Sequence, residues 1–263
     1  MKKPVLAVSL IVCASLACGQ VRIGTLVIKS KEIYELKESD ILVVDTLIMM
    51  DSSILLLNKL KRENFIHAKK IVFHRGSLID GKGVQGLPGR NGRTGSSSSG
   101  PCTEGGAGKL GTDGTSGGSG INLFISFSDI VSPGIATIDV SGGDAGDGGR
   151  GGNGGGGGSG TRLCEGGSGG KGGPGANGGK GGDSGTITFH TASVPELRSM
   201  LGERIMIRNY SGNAGSAAEG GGGGYPGISP TGKNSLDGKP GKKGVRGKDG
   251  AAGKPGRINF QDK

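Results

Sequence analysis

Tryptophan is absent from this chain, and six phenylalanines and three tyrosines make up its whole aromatic complement over 263 residues. That scarcity argues against a large conventional core outside one early stretch, residues 21–80. It also argues against a nucleic-acid surface, which needs aromatics interleaved with cations for base stacking. Histidine is nearly as rare, and His67, His74 and His190 stand apart among strand-like residues. No Ser/His/Asp set, metal-ligand spacing or carboxylate pair accompanies them, so no catalytic residue, metal or cofactor is expected. Long apolar runs are missing too: the longest, Val5 to Ala17, is too short for a stable membrane span. The glycine-rich runs are not phosphate loops, because none ends in Lys-Ser/Thr at a strand-to-helix turn.

What is present is glycine, 61 residues of 263, and it is periodic. Six stretches place it at every third position, as three pairs joined by short connectors. The first pair runs Gly83 to Gly95 and Gly105 to Gly120. The second runs Gly143 to Gly158 and Gly166 to Gly181. The third runs Gly212 to Gly227, with one interruption, and Gly238 to Gly256. An extended left-handed helix of the polyproline II type has three residues per turn and about 3.1 Å rise per residue, so such glycines line one edge where another backbone can approach.

Sorting each arm into three frames predicts its faces. From Gly142 to Gly155 one frame is all glycine, a second is Gly142, Ala145, Gly148, Gly151 and Gly154, and the third is Asp144, Asp147, Arg150 and Asn153. The arm from Gly166 repeats this, with Ser168, Lys171, Pro174, Asn177, Lys180 and Asp183 facing outward. Two bare edges imply more close neighbours, so the arms from Gly142, Gly166 and Gly212 are expected at the centre and those from Gly83, Gly105 and Gly238 at the periphery. The expected packing residues are Gly143, Gly146, Gly149, Gly152, Gly155, Gly169, Gly172, Gly175, Gly178 and Gly181. The outward Asn153 and Lys171 are expected to tolerate substitution.

Residues 20–80 have a different grammar. Thr25–Ile28, Ile41–Val44, Thr46–Met50, Ser53–Leu57, Lys70–Phe73 and Ser77–Ile79 are short, partly β-branched apolar runs broken by Asp, Ser, Asn and Gly, which predicts strands. Thr46–Leu55 echoes Lys70–Ile79, a near-repeat that predicts stacked rungs of a β-solenoid or β-helix. The same grammar returns between glycine pairs: strand-like exits at Leu78–Gly81, Thr137–Gly142 and Met206–Gly212, and re-entries at Gly120–Phe124, Gly185–Phe189 and Gly256–Phe260. The expected fold class is therefore mainly β plus extended helices. A β-solenoid base covers 20–80, and 81–263 makes three hairpin excursions with interleaved rungs at 121–141, 186–211 and 257–261. Residues 193–202 predict one short helix over an open end of the base.

On these frames, paired arms and connector cysteines, residues 81–257 resemble the polyglycine II bundles of snow-flea antifreeze proteins and of the receptor-binding tips of some phage tail adhesins. The resemblance implies an antiparallel six-helix bundle in which neighbouring arms supply the backbone hydrogen-bond partners that an extended helix lacks internally. It does not extend to residues 21–80. A trimeric collagen-like helix is the competing architecture, but only Gly238 to Gly256, with Lys239-Pro240 and Lys254-Pro255, looks collagenous. Ice binding is disfavoured by the charged outward frames.

The N-terminus, with Lys2, Lys3 and the apolar run, predicts an export signal over residues 1–19. Ser15-Leu16-Ala17-Cys18 resembles a bacterial lipobox, which implies processing after residue 17 and lipidation of Cys18. Ser15 departs from the Leu, Val or Ile usual there, and cleavage after Gly19 would instead release a soluble secreted chain. Cys102 and Cys164 each lie in a connector and are expected to form a disulfide in an oxidising compartment, with free thiols the alternative. Net charge is +10, and much of it lies in the last arm as a basic ridge of Lys239, Lys242, Lys243, Arg246, Lys248 and Lys254, interrupted by Asp249. Anionic glycans or envelope polymers fit such a ridge in an exported protein; a solvated face that maintains solubility is the plain alternative. The expectation is a non-enzymatic, monomeric surface protein, an adhesin or a matrix or envelope structural component. It would be held by a lipid anchor at the outer membrane or cell surface, or released outside the cell. A polysaccharide-active β-helix enzyme stands as the other alternative.

Overall fold

The computed structural model describes residues 23–230 and 236–262. The export signal and Cys18 lie outside the described residues. The described chain is β-rich and its strands pair in parallel. Strands β1 (Ile23–Ile28), β3 (Ile41–Met49), β5 (Glu63–Phe73), β7 (Asn122–Ser126), β10 (Ile187–His190) and β12 (Ile258–Gln261) lie side by side in that order. With β8 (Asp129–Val131), which pairs with the later half of β5, they form a seven-stranded sheet. Strands β2 (Ile33–Glu35), β4 (Ile54–Leu56), β6 (Leu78–Asp80), β9 (Ala136–Asp139) and β11 (Ile205–Arg208) form a second, five-stranded sheet. Apart from β7 and β8, successive strands thus step back and forth between two sheets, neither of which closes on itself.

Burial alternates in two runs within each long strand, with one three-residue step between the runs. In β3, Leu42, Val44, Leu47 and Met49 are buried; in β5, Ile66, Ala68, Ile71 and Phe73 are. The echo noted above is the observed register: Thr46, Leu47, Ile48 and Met49 pair with Lys70, Ile71, Val72 and Phe73, while Ile54 and Leu55 pair with Leu78 and Ile79. The core is not confined to residues 21–80. Ile121, Leu123, Ile125, Phe127, Ile138, Val140, Ile187, Phe189 and Ile205 are buried in the same cluster as Ile28, Leu47, Leu55 and Phe73. Each strand between arms returns to this one apolar interior, so the few aromatics are concentrated rather than missing. Phe73, Phe127 and Phe189 are fully buried, each contributing about 1.5–3 kcal/mol.

One α-helix, α1 (Val194–Met200), links β10 to β11. Leu197 is buried in the core, and the Arg198 guanidinium lies 4.0 Å from the centroid of the Phe260 ring on the terminal β12, a cation–π contact.

The glycine arms grow from these strands. Arms 1 (81–97), 3 (142–158) and 5 (212–227) follow β6, β9 and β11, all in the five-stranded sheet; arms 2 (105–120), 4 (166–185) and 6 (238–256) lead into β7, β10 and β12 of the other. Each sheet is thereby continued by a layer of three arms.

Candidate functional site

Within the outgoing layer, arm 1 donates to arm 3 (Gly83, Gly86, Gly89 and Gly92 N–H to Ser141, Asp144, Asp147 and Arg150 carbonyls). Arm 3 donates in turn to arm 5 (Ala145, Gly148 and Gly151 to Asn213, Ser216 and Glu219). The returning layer is built alike, arm 2 donating to arm 4 and arm 4 to arm 6. Between layers the bonds run antiparallel, as from Gly146, Gly149 and Gly152 to Thr115, Thr112 and Lys109. Every bond advances by three residues, the repeat of an extended three-residue helix.

Arm 3 bonds to arms 1, 2, 4 and 5, and arm 4 to arms 2, 3, 5 and 6, so these two alone are central. Arm 5 bonds to arms 3, 4 and 6 and is equivalent to arm 2, which corrects the expectation of three central arms. Two staggered layers of three have only one middle member each.

The glycine frames face backbone. A Cβ at Gly143, Gly146, Gly149, Gly152 or Gly155 would lie 2.0 Å from the carbonyl oxygens of Val84, Leu87, Arg90, Arg93 and Ser96 of arm 1. The second frame faces arm 4, with Gly151 2.0 Å from the Gly173 oxygen and Gly154 1.9 Å from that of Gly170. At Gly169, Gly172, Gly175, Gly178 and Gly181 the obstructing oxygens are those of Gly224, Gly221, Ala218, Gly215 and Gly212, at 1.9 to 2.1 Å. The structure thus brings all of the expected packing glycines to arm–arm contacts.

Outward residues do more than face solvent. Asp and Asn side chains accept the N–H of the matching residue on the next arm of the same layer: Asn91 from Arg150, Asp144 from Asn213, Asp147 from Ser216, Asn153 from Gly222, Asp113 from Asn177, Asn177 from Lys248 and Asp183 from Lys254, all at 2.7 to 2.9 Å. This side-chain ladder supplies acceptors to N–H groups in the frame that the arm–arm backbone bonds leave out, and it makes Asn153 a bonding residue rather than a tolerant one. The Lys254 N–H, followed by the Lys180 ammonium, holds the Asp183 carboxyl below the ordinary value of 3.8. Asp249 is lowered likewise, first by the Ala217 N–H and then by Arg246.

The basic ridge resolves into two rows. With three residues per turn, Lys239, Lys242, Lys248 and Lys254 fall in one frame and Lys243 and Arg246 in the next. The first row lies beside the outward frame of arm 4, where Lys171, Lys239 and Lys242 line a groove of about 460 Å³ with Glu104, Ser168 and Pro240. In the second row, Lys243 and Arg246 meet Glu219 of arm 5 at 3.1 and 3.4 Å, and Arg246 also meets Asp249 at 2.9 Å. Sequence proximity had joined these rows, and Glu219 was missed because its partners lie 24 residues away or more.

At the far end, Cys102 and Cys164 are joined as a disulfide with Cα atoms 6.1 Å apart, tying the connector of arms 1 and 2 to that of arms 3 and 4. Leu163 and Tyr225 are strongly exposed near this tip. On the base, His67 and His190 flank Ser126 in register on neighbouring strands, and Ser126 Oγ lies 3.3 Å from His190 Nδ1. Among the described residues no helix is long and apolar enough to cross a membrane.

No protein-family model matches the chain, and no curated protein matches it. Among solved structures, a nine-helix polyproline type II bundle springtail antifreeze protein from Granisotoma rainieri is 20% identical, over 68% of this chain and 94% of that one. Its TM-score is 0.10, and a likeness at that level carries no argument about fold or function.

Proposed function

We propose that the protein is a non-enzymatic, exported bacterial surface component, in which a β-solenoid base carries a six-arm polyglycine II bundle that holds a cross-linked tip away from the cell. The observation that carries this reading is the unbroken backbone network from the two sheets to the Cys102–Cys164 tip. Arms of about 16 residues at about 3.1 Å per residue span roughly 50 Å, and the bonds made on successive turns resist bending along that length. A rigid projection ending in exposed connectors suits adhesion or matrix building better than chemistry. The two clefts along the arms are lined by glycine backbone and outward polar and basic side chains, a surface for contact more than for reaction.

Monomer is the favoured state, because the glycine edges that a collagen helix would present to two other chains are filled by arms of the same chain. The export signal and lipid attachment at Cys18 supply the route and the anchor in this reading. Intact-cell proteolysis tests it: peptides flanking Cys102 or Cys164 should be released without lysis. Recovery of those peptides only after lysis refutes surface display. A Cys18→Ser variant should leave the membrane fraction if the anchor is lipid.

A further inference from the structure

We propose that the outer face of the returning layer is a binding track for an extended, carboxylate-bearing polysaccharide, running along the seam between arms 4 and 6. The choice of a polysaccharide rests on the surface location argued above; the track itself rests on charge and register. The Asn177 and Asp183 bonds to Lys248 and Lys254 fix the alignment of the two arms, so each outward residue of arm 4 sits beside the arm 6 residue 71 positions later. From the tip downward the rows read Ser168 with Lys239, Lys171 with Lys242, Pro174 with Val245, Asn177 with Lys248, Lys180 with Ala251, and Asp183 with Lys254. Every row but one carries a lysine.

The exception is apolar, and in line with it on arm 2 stands Leu110, whose neighbour Gly111 donates to the Pro174 carbonyl. Leu110 and Val245 are 64% and 72% exposed, a patch suited to the C–H face of a sugar ring. Lys171, Lys239, Lys242 and Lys248 form no ion pair among the described residues, unlike Lys243 and Arg246 on the arm 5 side. Their charge is therefore available to an incoming anion rather than spent within the protein.

Geometry favours a stiff linear partner. One turn of an arm is about 9 Å, and the rows that carry lysine along the seam follow one another at that interval or, across the apolar row, at twice it. An extended uronic-acid chain presents carboxylates on one side every second sugar, a comparable period, so one register satisfies several contacts together. Each contact is weak and exposed, and avidity along the track supplies the affinity. The opposite face mixes Asp144 and Asp147 with Arg150 and Asn153 in the corresponding positions and offers the same polymer no run of lysines.

Alginate oligomers provide the probe, measured by calorimetry against the full exported chain. Binding should weaken with added salt. Replacing Lys171, Lys239 and Lys242 together by Gln should weaken it roughly ten- to hundredfold, as three exposed charge contacts would. Lys243→Gln with Arg246→Gln should change it less than about twofold. Equal loss in the two variants, or no alginate binding, overturns the track. Equally tight binding of duplex DNA or of phosphatidylglycerol vesicles, lost in the same variant, replaces the polysaccharide with that anion and also overturns the assignment. Circular dichroism of each variant separates loss of binding from loss of fold. Because binding is read on purified protein, its failure is distinct from failure of surface display, which proteolysis of cells reads.

Discussion

Replacing Gly152 by Val is the most direct trial of the arm packing. The new Cβ would lie 2.0 Å from the Arg93 oxygen and 2.5 Å from the Arg93 carbonyl carbon, where ordinary contact begins at 3.4 Å. Both obstructing atoms are backbone, so no rotamer relieves the clash and arm 1 must withdraw by about 1.4 Å. That movement stretches the bonds from Gly89 and Gly92 to Asp147 and Arg150, now 2.8 and 2.7 Å, beyond hydrogen-bond range. Two or three lost bonds at about 1 kcal/mol each, with about 1–3 kcal/mol for overpacking, total on the order of 3–5 kcal/mol. Lys171→Val, outward and exposed, should stay within about 1 kcal/mol of the parent. Asn153→Val should fall between, at about 1 kcal/mol or somewhat more, because the Gly222 N–H loses its acceptor. Denaturant unfolding of the three variants gives the comparison. If Gly152→Val and Lys171→Val lose the same stability, the glycine frames do not pack as described.

Other expectations follow from the same geometry. Non-reducing peptide mapping should recover Cys102 and Cys164 in one linked pair. Replacing both by Ser should cost about 4 kcal/mol by loop entropy over their separation of 62 residues; two free thiols in the purified oxidised protein would remove the staple. Light scattering should report a monomer, and a trimer with collagen-type circular dichroism would overturn intrachain packing. Asp183 and Asp249 both have folded pKa values below 3.8, so the stability they contribute is complete above that value and is lost as pH falls through the depressed folded values. Asn at both positions keeps an acceptor for the Lys254 and Ala217 N–H groups and should flatten the acid limb of a plot of Tm against pH. An unchanged limb would mean that these carboxylates are not bonded. A single glycine inserted after Gly149 should unfold the arms by moving Arg150 and Asn153 into the close frame, whereas one inserted after Ser99 in a connector should leave Tm nearly unchanged; the reverse order would contradict the frames.

Much of this architecture was legible in the sequence because glycine states its own constraint. Exits such as Thr137–Gly142 and re-entries such as Gly185–Phe189 fall where strands and arms meet, and the stripes of Gly143 to Gly155 lie against backbone. Two features were hidden for one reason, that they depend on alignment between distant segments. Asp147 finds Ser216 across 69 residues and Asp113 finds Asn177 across 64, separations set by connector lengths and not by any local pattern. The signal that could have revealed the ladder was the enrichment of Asp and Asn in the outward frames. Glu219 was unseen as partner to Lys243 on the same ground. Ile33–Glu35 escaped as a strand because three residues beside charged neighbours show too short an alternation.

The separations themselves explain how the arms keep a single register. Glycine periodicity does not fix it: sliding one arm by three residues restores every glycine contact and loses only the bonds at the ends. A strand, however, has period two, so a slip of three would turn the buried face of β7, Leu123 and Ile125, outward. The two periods agree only at six residues. The alignment is continuous across the junction, since Asp80 pairs with Asp139 and Asn91 with Arg150, both 59 apart, while Asp139 with Arg208 and Asp144 with Asn213 are both 69 apart. The returning layer behaves alike: Leu123 with Ile187 and Asp113 with Asn177 are 64 apart, and Ile187 with Ile258 and Asn177 with Lys248 are 71 apart. The sheets therefore set the register and the arms transmit it outward, to a tip where the disulfide meets cysteines already brought to the same height. Only with that one alignment do the Asp and Asn ladders close and the lysines of arms 4 and 6 fall into line, so the apolar base decides the chemistry of faces far from it.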